Sequence, residues 1–155
     1  MKISLIAVGK RMPKWVEIAT EDYIKRLPPE LNFATKEINL IKRSKDANIP
    51  AIIRQEGERI LAAVPKNHLI VALDVQGKPW DTPQVAHQLK QWMQEGKGVS
   101  LLVGGPDGLS AECLKSAKIS WSLSPLTLPH PLVRVVVAEQ IYRAWSLLQG
   151  HPYHR

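Results

Sequence analysis

Four polar side chains that could do chemistry lie in the C-terminal segment HPYHR. His151, Tyr153, His154 and Arg155 include two imidazoles that could bind a metal ion or titrate near neutral pH. A metal site needs further ligands, and no other ligand cluster accompanies the two histidines, so we predict no metal. No paired carboxylates and no serine, histidine and aspartate arrangement stand out either. A frayed chain end is the alternative interpretation of this segment.

A glycine-rich turn follows an apolar run in VSLLVGGPDGLS, residues 99–110. Gly104, Gly105 and Gly108 do not form a phosphate-binding P-loop, because no lysine with serine or threonine follows the last glycine. They also miss the Gly-x-Gly-x-x-Gly pattern of dinucleotide-binding proteins. An ordinary tight connection would explain the turn. The other interpretation is a ligand that contacts main-chain groups, such as an adenosine, because glycines let the backbone approach closely.

The segment SLSPLTLPHP, residues 122–131, is too apolar for a solvent loop and is interrupted by three prolines. If this irregular backbone is buried, its polar groups need hydrogen-bond partners. A bound ligand would supply them, and so would packing beneath another segment of the chain. The two interpretations are compatible.

Strand and helix patterns alternate along the chain, and these elements must position the candidate residues. Apolar runs predict strands over residues 2–8, 33–40, 68–74, 99–103 and 119–123. Helical periodicity predicts helices over residues 13–27, 51–64, 82–95 and 131–150, with a short one around Cys113. Thr82 is the predicted N-cap of its helix and Gly96 the predicted stop.

This alternation predicts an α/β fold with a mainly parallel sheet flanked by helices, in a single domain over residues 1–155. Ligands of such sheets bind beyond the carboxyl ends of the strands. The rule marks three loops, whose sequences are DVQGKPW, GGPDG and SPLTLPHP.

The composition indicates a soluble globular protein with a basic surface. The formal net charge is +7, and basic clusters occur at residues 10–14, 25–26 and 42–45. A solvated surface explains any one cluster, whereas a polyanionic partner such as RNA explains all of them. Cys113 is the single cysteine, so no internal disulfide can form and a reducing cytoplasm is expected. The first residues predict a strand rather than a signal peptide, and no run is long enough to span a membrane.

The segments LVGGPDGLS, SLSPLTLPHPLVRVVVAEQIYRAW and HPYHR together resemble the small bacterial SPOUT methyltransferases. More narrowly, the whole chain is similar to the ribosomal RNA large-subunit methyltransferase H family, which methylates N3 of a pseudouridine in 23S ribosomal RNA. The resemblance implies a C-terminal trefoil knot and S-adenosylmethionine bound among the three marked loops. The cofactor-binding positions that it implies are Leu73, Gly104, Gly105, Leu123, Ser124, Pro125, Leu126, Thr127 and Leu128.

The resemblance also implies a role for the C-terminal segment. Tyr153, His154 and Arg155 would be the catalytic contacts to the base or its phosphate, with Arg134 and Arg143 as substrate-binding residues. His154 could take up the N3 proton or simply hold the nucleotide. The family acts as a homodimer, so the tail of one subunit could complete the site of the other. The assembled ribosome is the expected substrate.

Two alternatives stay open. A ribosome-associated RNA-binding protein without catalytic activity would fit the basic charge equally well, and the absence of an obvious base supports it. A nucleotide-binding enzyme could use the glycine-rich turn for phosphates, although the missing lysine disfavours it.

Overall fold

A parallel five-stranded sheet forms the centre of the structure, a computed structural model that describes residues 1–154 apart from the side chain of His154. Arg155, one of the implied catalytic residues, lies outside the described residues. The strands are β1 (Lys2–Val8), β2 (Asn32–Ile38), β3 (Leu69–Pro79), β4 (Val99–Val103) and β5 (Ile119–Ser122). Their order in the sheet is β2-β1-β4-β3-β5, and every pair is parallel. The predicted α/β fold with a parallel sheet is confirmed.

Helices cover both faces of this sheet. They are α1 (Lys14–Lys25), α2 (Ile49–Ala63), α3 (Thr82–Glu95), α4 (Ala111–Ser116) and α5 (His130–Leu148), followed by a 3₁₀ turn at Pro152–His154. Helix α5 packs between α1 and α3 on one face, while α2 and α4 pack together on the other. Strands β1 and β4 are therefore buried from both sides, which explains why their buried positions are apolar apart from Ser4 and Ser100. The trefoil knot stays a prediction.

The start of α3 differs from the prediction by one residue. Asp81, rather than Thr82, is the N-cap, because its carboxylate accepts a hydrogen bond from the Gln84 backbone at 2.9 Å. The Gln84 side chain in return accepts from the Asp81 backbone at 2.8 Å. This reciprocal capping box satisfies two backbone donors at once, which a threonine one position later could not do. The helix ends at Gly96 as predicted, in a left-handed conformation.

The segment DVQGKPW was predicted as a loop, but most of it belongs to β3. Leu73 and Lys78 both pair with Trp121 of β5, so the residues between them bulge out of the strand. At the end of the bulge the chain returns close to β5, since a Cβ on Gly77 would lie 2.6 Å from the Ser120 backbone. The strand end that the sequence indicated is thus a bulge within a longer strand.

No helix of residues 1–154 is both long enough and apolar enough to cross a membrane.

Candidate functional site

A cleft of about 440 Å³ opens where β4 and β5 end and β3 bulges. Its lining comprises residues 73–75, residues 103–106 with Gly108 and Leu109, and Trp121, Leu123, Ser124, residues 126–130 and Val133. The three segments that the strand-end rule marked therefore meet in one cavity. Its volume lies in the range of about 300 to 1,000 Å³ that is typical of small-molecule sites.

Most of the implied cofactor-binding residues lie in the wall of this cleft: Leu73, Gly104, Gly105, Leu123, Ser124, Leu126, Thr127 and Leu128. Pro125 is the exception and is not among the lining residues. The Ser124 hydroxyl accepts a hydrogen bond from the Leu126 backbone at 2.9 Å, which closes a turn with exposed Pro125 at its outer tip. The expected contact of Pro125 with the cofactor stays a prediction.

His130 joins the glycine-rich turn to the first turn of α5. Its Nδ1 lies 3.1 Å from the Gly104 carbonyl oxygen, and its Nε2 lies 2.9 Å from Nε of Arg134. Because a carbonyl can only accept and a guanidinium can only donate, Nδ1 carries the proton and Nε2 is the acceptor. Burial, together with the charge of Arg134, lowers the pKa of His130. The imidazole is therefore neutral at physiological pH, with both nitrogens in use.

Acidification is expected to destabilise the fold through this histidine. The unfolded chain takes up the proton near the ordinary pKa of 6.5, before the folded chain does, so the free energy of unfolding falls as the pH drops below that value. His68, whose pKa burial also lowers, contributes in the same direction. His130→Asn keeps a donor near Gly104 but cannot titrate. We expect urea unfolding between about pH 7 and pH 5 to show a smaller loss of stability for this variant than for the wild type.

The exposed His151 provides the control for that experiment. His151→Asn makes the same replacement at a histidine whose side chain forms none of the described hydrogen bonds, so it measures the effect of losing a histidine in itself. An unchanged pH dependence in His130→Asn would show that His130 titrates alike in the folded and unfolded chains.

Arg134 lies in the interior, which differs from the expected contact with RNA. Only 3% of the residue is exposed, and its guanidinium donates to Glu37 at 2.6 Å, to the Gly9 carbonyl at 2.7 Å and to His130. These contacts tie α5 to the ends of β1 and β2. We therefore assign Arg134 to the support of His130 and the cleft, because its donors point at protein groups rather than at solvent.

Arg143 and Tyr153 form a second cluster, near the C-terminal end of α5. Both side chains contact the Glu139 carboxylate, Arg143 through Nε at 2.7 Å and Tyr153 through its hydroxyl at 3.2 Å. The Arg143 guanidinium also lies over the Tyr153 ring, 5.0 Å from its centroid. Burial raises the pKa of Tyr153, so its phenol stays protonated and can donate but not accept a proton.

This cluster and the cleft are separated within one chain. Val133 is the last α5 residue that lines the cleft, and Arg143 lies ten residues further along, about 15 Å at the rise of an α-helix. Tyr153 packs on Tyr142 with ring centroids 4.7 Å apart, at the same distant position. Of the implied substrate contacts, the structure brings Arg143 and Tyr153 together and leaves both away from the cleft.

Two polar residues of the cleft, Asp74 and His130, lie in loops that the strand-end rule marked, but neither was singled out as a site residue. Asp74 follows the apolar run of β3, and the strand-end rule could have identified it as a side chain at the site. His130 follows Pro129 at the start of a helix, and its sequence context offers no signal for its two hydrogen bonds. No group of three or more potential metal ligands occurs in the described part of the chain.

A parallel α/β sheet with a small-molecule cleft at its carboxyl edge defines the general class of this protein. The chain matches the family described as "Predicted SPOUT methyltransferase" over residues 1–154. It therefore belongs to the SPOUT methyltransferase family, whose members use S-adenosylmethionine as methyl donor.

Solved structures share the fold. One is that of a "probable methylase family protein from Haemophilus influenzae Rd KW20", with a TM-score of 0.56 and 10% identity over 99% of this chain and 70% of that chain. Another structure concerns "the 2-OH methylation of C/U34 on tRNA", with a TM-score of 0.51 and 15% identity over 97% of this chain and 98% of that chain. At such low identities the likeness shows the common fold alone.

Proposed function

We propose that the protein is an S-adenosylmethionine-dependent methyltransferase acting on N3 of a pseudouridine in the 23S ribosomal RNA of the assembled ribosome. The observation that carries the proposal is the cleft of about 440 Å³, walled by the ends of three neighbouring chain segments. Membership of a family that uses this donor supports the chemistry. The resemblance of the whole sequence to the methyltransferase H family supports the particular target.

The residues of the cleft fit a sulfonium donor. At Gly104 the turn folds back so tightly that a Cβ would lie 2.4 Å from the Gly108 carbonyl carbon, so this wall is bare backbone. Backbone amides and carbonyls of this kind can hydrogen-bond to an adenine. Asp74 is the sole carboxylate among the lining residues, and neither lysine nor arginine lines the cleft within residues 1–154. This charge pattern favours a cationic ligand over a polyphosphate.

When bound, S-adenosylmethionine supplies a methyl group on a positively charged sulfur. This sulfur is a good leaving group without help from a metal when the nucleobase nitrogen attacks the methyl carbon. The chain must hold the base in line with this group and remove the N3 proton. His130 is unsuited as the general base that removes this proton, because both of its ring nitrogens are engaged in hydrogen bonds. Tyr153 is unsuited because its hydroxyl already donates its proton in a hydrogen bond to Glu139, and burial raises its pKa. His154 remains our candidate either for the general base or for a contact that holds the nucleotide.

Exposed cations support RNA as the substrate, because they share the edge of the sheet with the cleft. Lys10 and Arg11 follow β1, Lys14 begins α1, and Lys42 and Lys45 follow β2. Because all five strands are parallel, their carboxyl ends lie along one edge. An RNA backbone bound to these cations would bring a nucleotide near the cleft.

A homodimer would resolve the separation between the cleft and the cluster of Arg143 and Tyr153. In a two-fold dimer, the tail of one subunit can approach the cleft of the other. We propose that the active site is composite in this way. Arg143 has a partly exposed side chain despite its bond to Glu139, so it retains donors for a phosphate.

Mixing two inactive variants tests this arrangement. Gly104→Ala is expected to lose donor binding, and Arg143→Ala is expected to lose about 100-fold in turnover through a misplaced nucleotide. In a mixed dimer, the intact cleft of one subunit meets the intact tail of the other, so one of the two sites is complete. About half of the dimers are mixed when both variants are expressed equally. We therefore expect co-expression to restore about a quarter of the wild-type activity, measured as methyl transfer to ribosomes. If each site were built from one chain, the mixture would stay as inactive as the separate variants.

Mass spectrometry of ribosomal RNA from cells lacking the protein tests the function itself. We expect one pseudouridine of 23S RNA to lose a methyl group and the wild-type gene to restore it. Purified protein should methylate assembled ribosomes faster than free transcript. Calorimetric titration with S-adenosylmethionine separates the alternatives, since a non-catalytic RNA-binding protein would release no heat. A nucleotide-binding enzyme would instead bind ATP in the same titration.

A further inference from the structure

Arg43 belongs to a basic cluster in the sequence, yet its side chain points into the protein. It lies in the connection between β2 and α2, and its NH1 and NH2 nitrogens bind the two carboxylate oxygens of Glu56 at 2.6 and 2.9 Å. NH1 also donates to the Ile41 carbonyl at 2.7 Å. The third nitrogen, Nε, donates to the carboxylate of Asp107 at 3.0 Å. One guanidinium thus joins three segments of the chain.

Asp107 lies in the turn that walls the cleft. This turn, Gly105 to Gly108, is closed by a hydrogen bond of 3.0 Å between the Gly108 amide and the Gly105 carbonyl. The back of the turn rests on the ion pair, since a Cβ on Gly105 would lie 3.1 Å from Oε1 of Glu56 and 3.5 Å from NH2 of Arg43. The inner surface of the same turn lines the cleft.

The ion pair has a defined geometry because Glu56 is buried. Glu56 is only 2% exposed, so its carboxylate oxygens need hydrogen-bond donors from the protein. Arg43 and the Ile41 amide supply them. Glu56 in turn raises the pKa of the Arg43 guanidinium. A planar fork bound at both oxygens cannot rotate freely, so Nε is held in one place opposite the turn.

We propose that Arg43 is a positioning residue for the methyl-donor cleft: anchored on buried Glu56, it holds the turn 105–108 through Asp107 in the shape that receives the donor. The claim about the donor rests on the proposed function. The claim about the turn rests on the contacts alone. Within the basic cluster at residues 42–45, Lys42 and Lys45 are exposed, whereas Arg43 is bound to protein groups and serves the cleft.

Asp107→Ala tests the proposal, with Asp46→Ala as its matched control. Both variants remove one exposed carboxylate, but Asp46 takes part in none of the described ion pairs. We expect Asp107→Ala to weaken binding of S-adenosylmethionine about 3- to 10-fold by calorimetry, because the turn is free to open, and to raise the KM for the donor more than it lowers kcat. Asp46→Ala should bind the donor as the wild type does. Equal affinity in Asp107→Ala and the wild type would overturn the proposal.

Arg43→Lys provides a second route to the same contact. Lysine keeps a charge beside Glu56 but has no Nε to reach Asp107, so we expect a similar loss of donor affinity. The double variant should be no weaker than either single variant, because both remove the same interaction. Additive losses would show that Arg43 and Asp107 act independently and would contradict the proposal.

Hydrogen exchange separates this proposal from the proposed function, since it needs no donor. In the donor-free protein, we expect the Gly108 amide to exchange faster in Asp107→Ala than in Asp46→Ala. Unchanged exchange would overturn the role of Arg43 even if the protein binds S-adenosylmethionine. The wild type could also fail to bind the donor while the Gly108 amide exchanges faster in Asp107→Ala. In that case Arg43 would still be shown to hold the turn, and the proposed function would be wrong.

Discussion

Gly104→Ala is expected to weaken binding of S-adenosylmethionine by about 100-fold or more. A Cβ at this position would lie 2.4 Å from the carbonyl carbon of Gly108, 2.6 Å from its oxygen and 2.7 Å from the Leu109 nitrogen. All three are backbone atoms, so no side chain can rotate away. Restoring an ordinary contact of 3.4 Å requires a shift of about 1 Å in the wall of the cleft. A displacement of that size breaks hydrogen bonds between the backbone wall and the donor, and the loss of two such bonds at about 1.4 kcal/mol each corresponds to about 100-fold in affinity.

Calorimetric titration with the donor measures this effect, and Gly96→Ala is its control. Gly96 adopts a left-handed conformation that favours glycine, with φ of 71°, but a Cβ there meets nothing within 4 Å and the residue ends α3 away from the cleft. It should lower stability by about 1 kcal/mol and leave donor affinity unchanged. Gly105→Ala should be intermediate, because its nearest contacts are 3.1 and 3.2 Å. Donor affinity in Gly104→Ala within about threefold of the wild type would contradict the assignment of the cleft.

Arg134→Met is expected to lower the free energy of unfolding by about 3 kcal/mol, the scale of a broken buried ion pair. The methionine fills similar space, but the Gly9 carbonyl and Nε2 of His130 lose their donor in the interior. Glu37 is less affected, because about a third of its side chain is exposed. For a domain of this length, the loss corresponds to a fall of about 6 to 12 °C in the melting temperature.

Arg26→Met is the control for Arg134→Met, because it distinguishes the effect of breaking a buried ion pair from the effect of losing an arginine. Arg26 pairs with Asp22 on the exposed surface of α1, so its replacement should cost about 1 kcal/mol or less. RNA affinity provides a second distinction. If Arg134 supports the interior, folded Arg134→Met should bind ribosomes as the wild type does at each salt concentration. A weaker affinity with a reduced salt dependence would instead place Arg134 on the phosphate backbone.

Periodicity along the chain determined where the sheet and its ligand-binding edge lie. The apolar runs of β1 and β4 predicted both strands with the observed bounds, because strands buried on both faces are mostly apolar, and only Ser4 and Ser100 are polar among their buried positions. Helix α5 was predicted against the preference of its valines for strands, because its buried stripe recurs at helical spacing. Such patterns depend on neighbours a few residues apart. The parallel arrangement then identified the three cleft segments before any distance was known.

Tertiary contacts decided the role of each charged side chain. Arg43, Arg134 and Arg143 are alike in the sequence, but the first two bind partners that lie 64 and 97 residues away, at Asp107 and Glu37. Spacing along the chain carries no record of such pairs, since they form only when distant strand ends meet. For the same reason the bulge of β3 depends on its register with β5. The cluster of Arg143 and Tyr153 is separated from the cleft by the length of α5, at the rise of an α-helix. This distance between the two sites exists only in the folded chain.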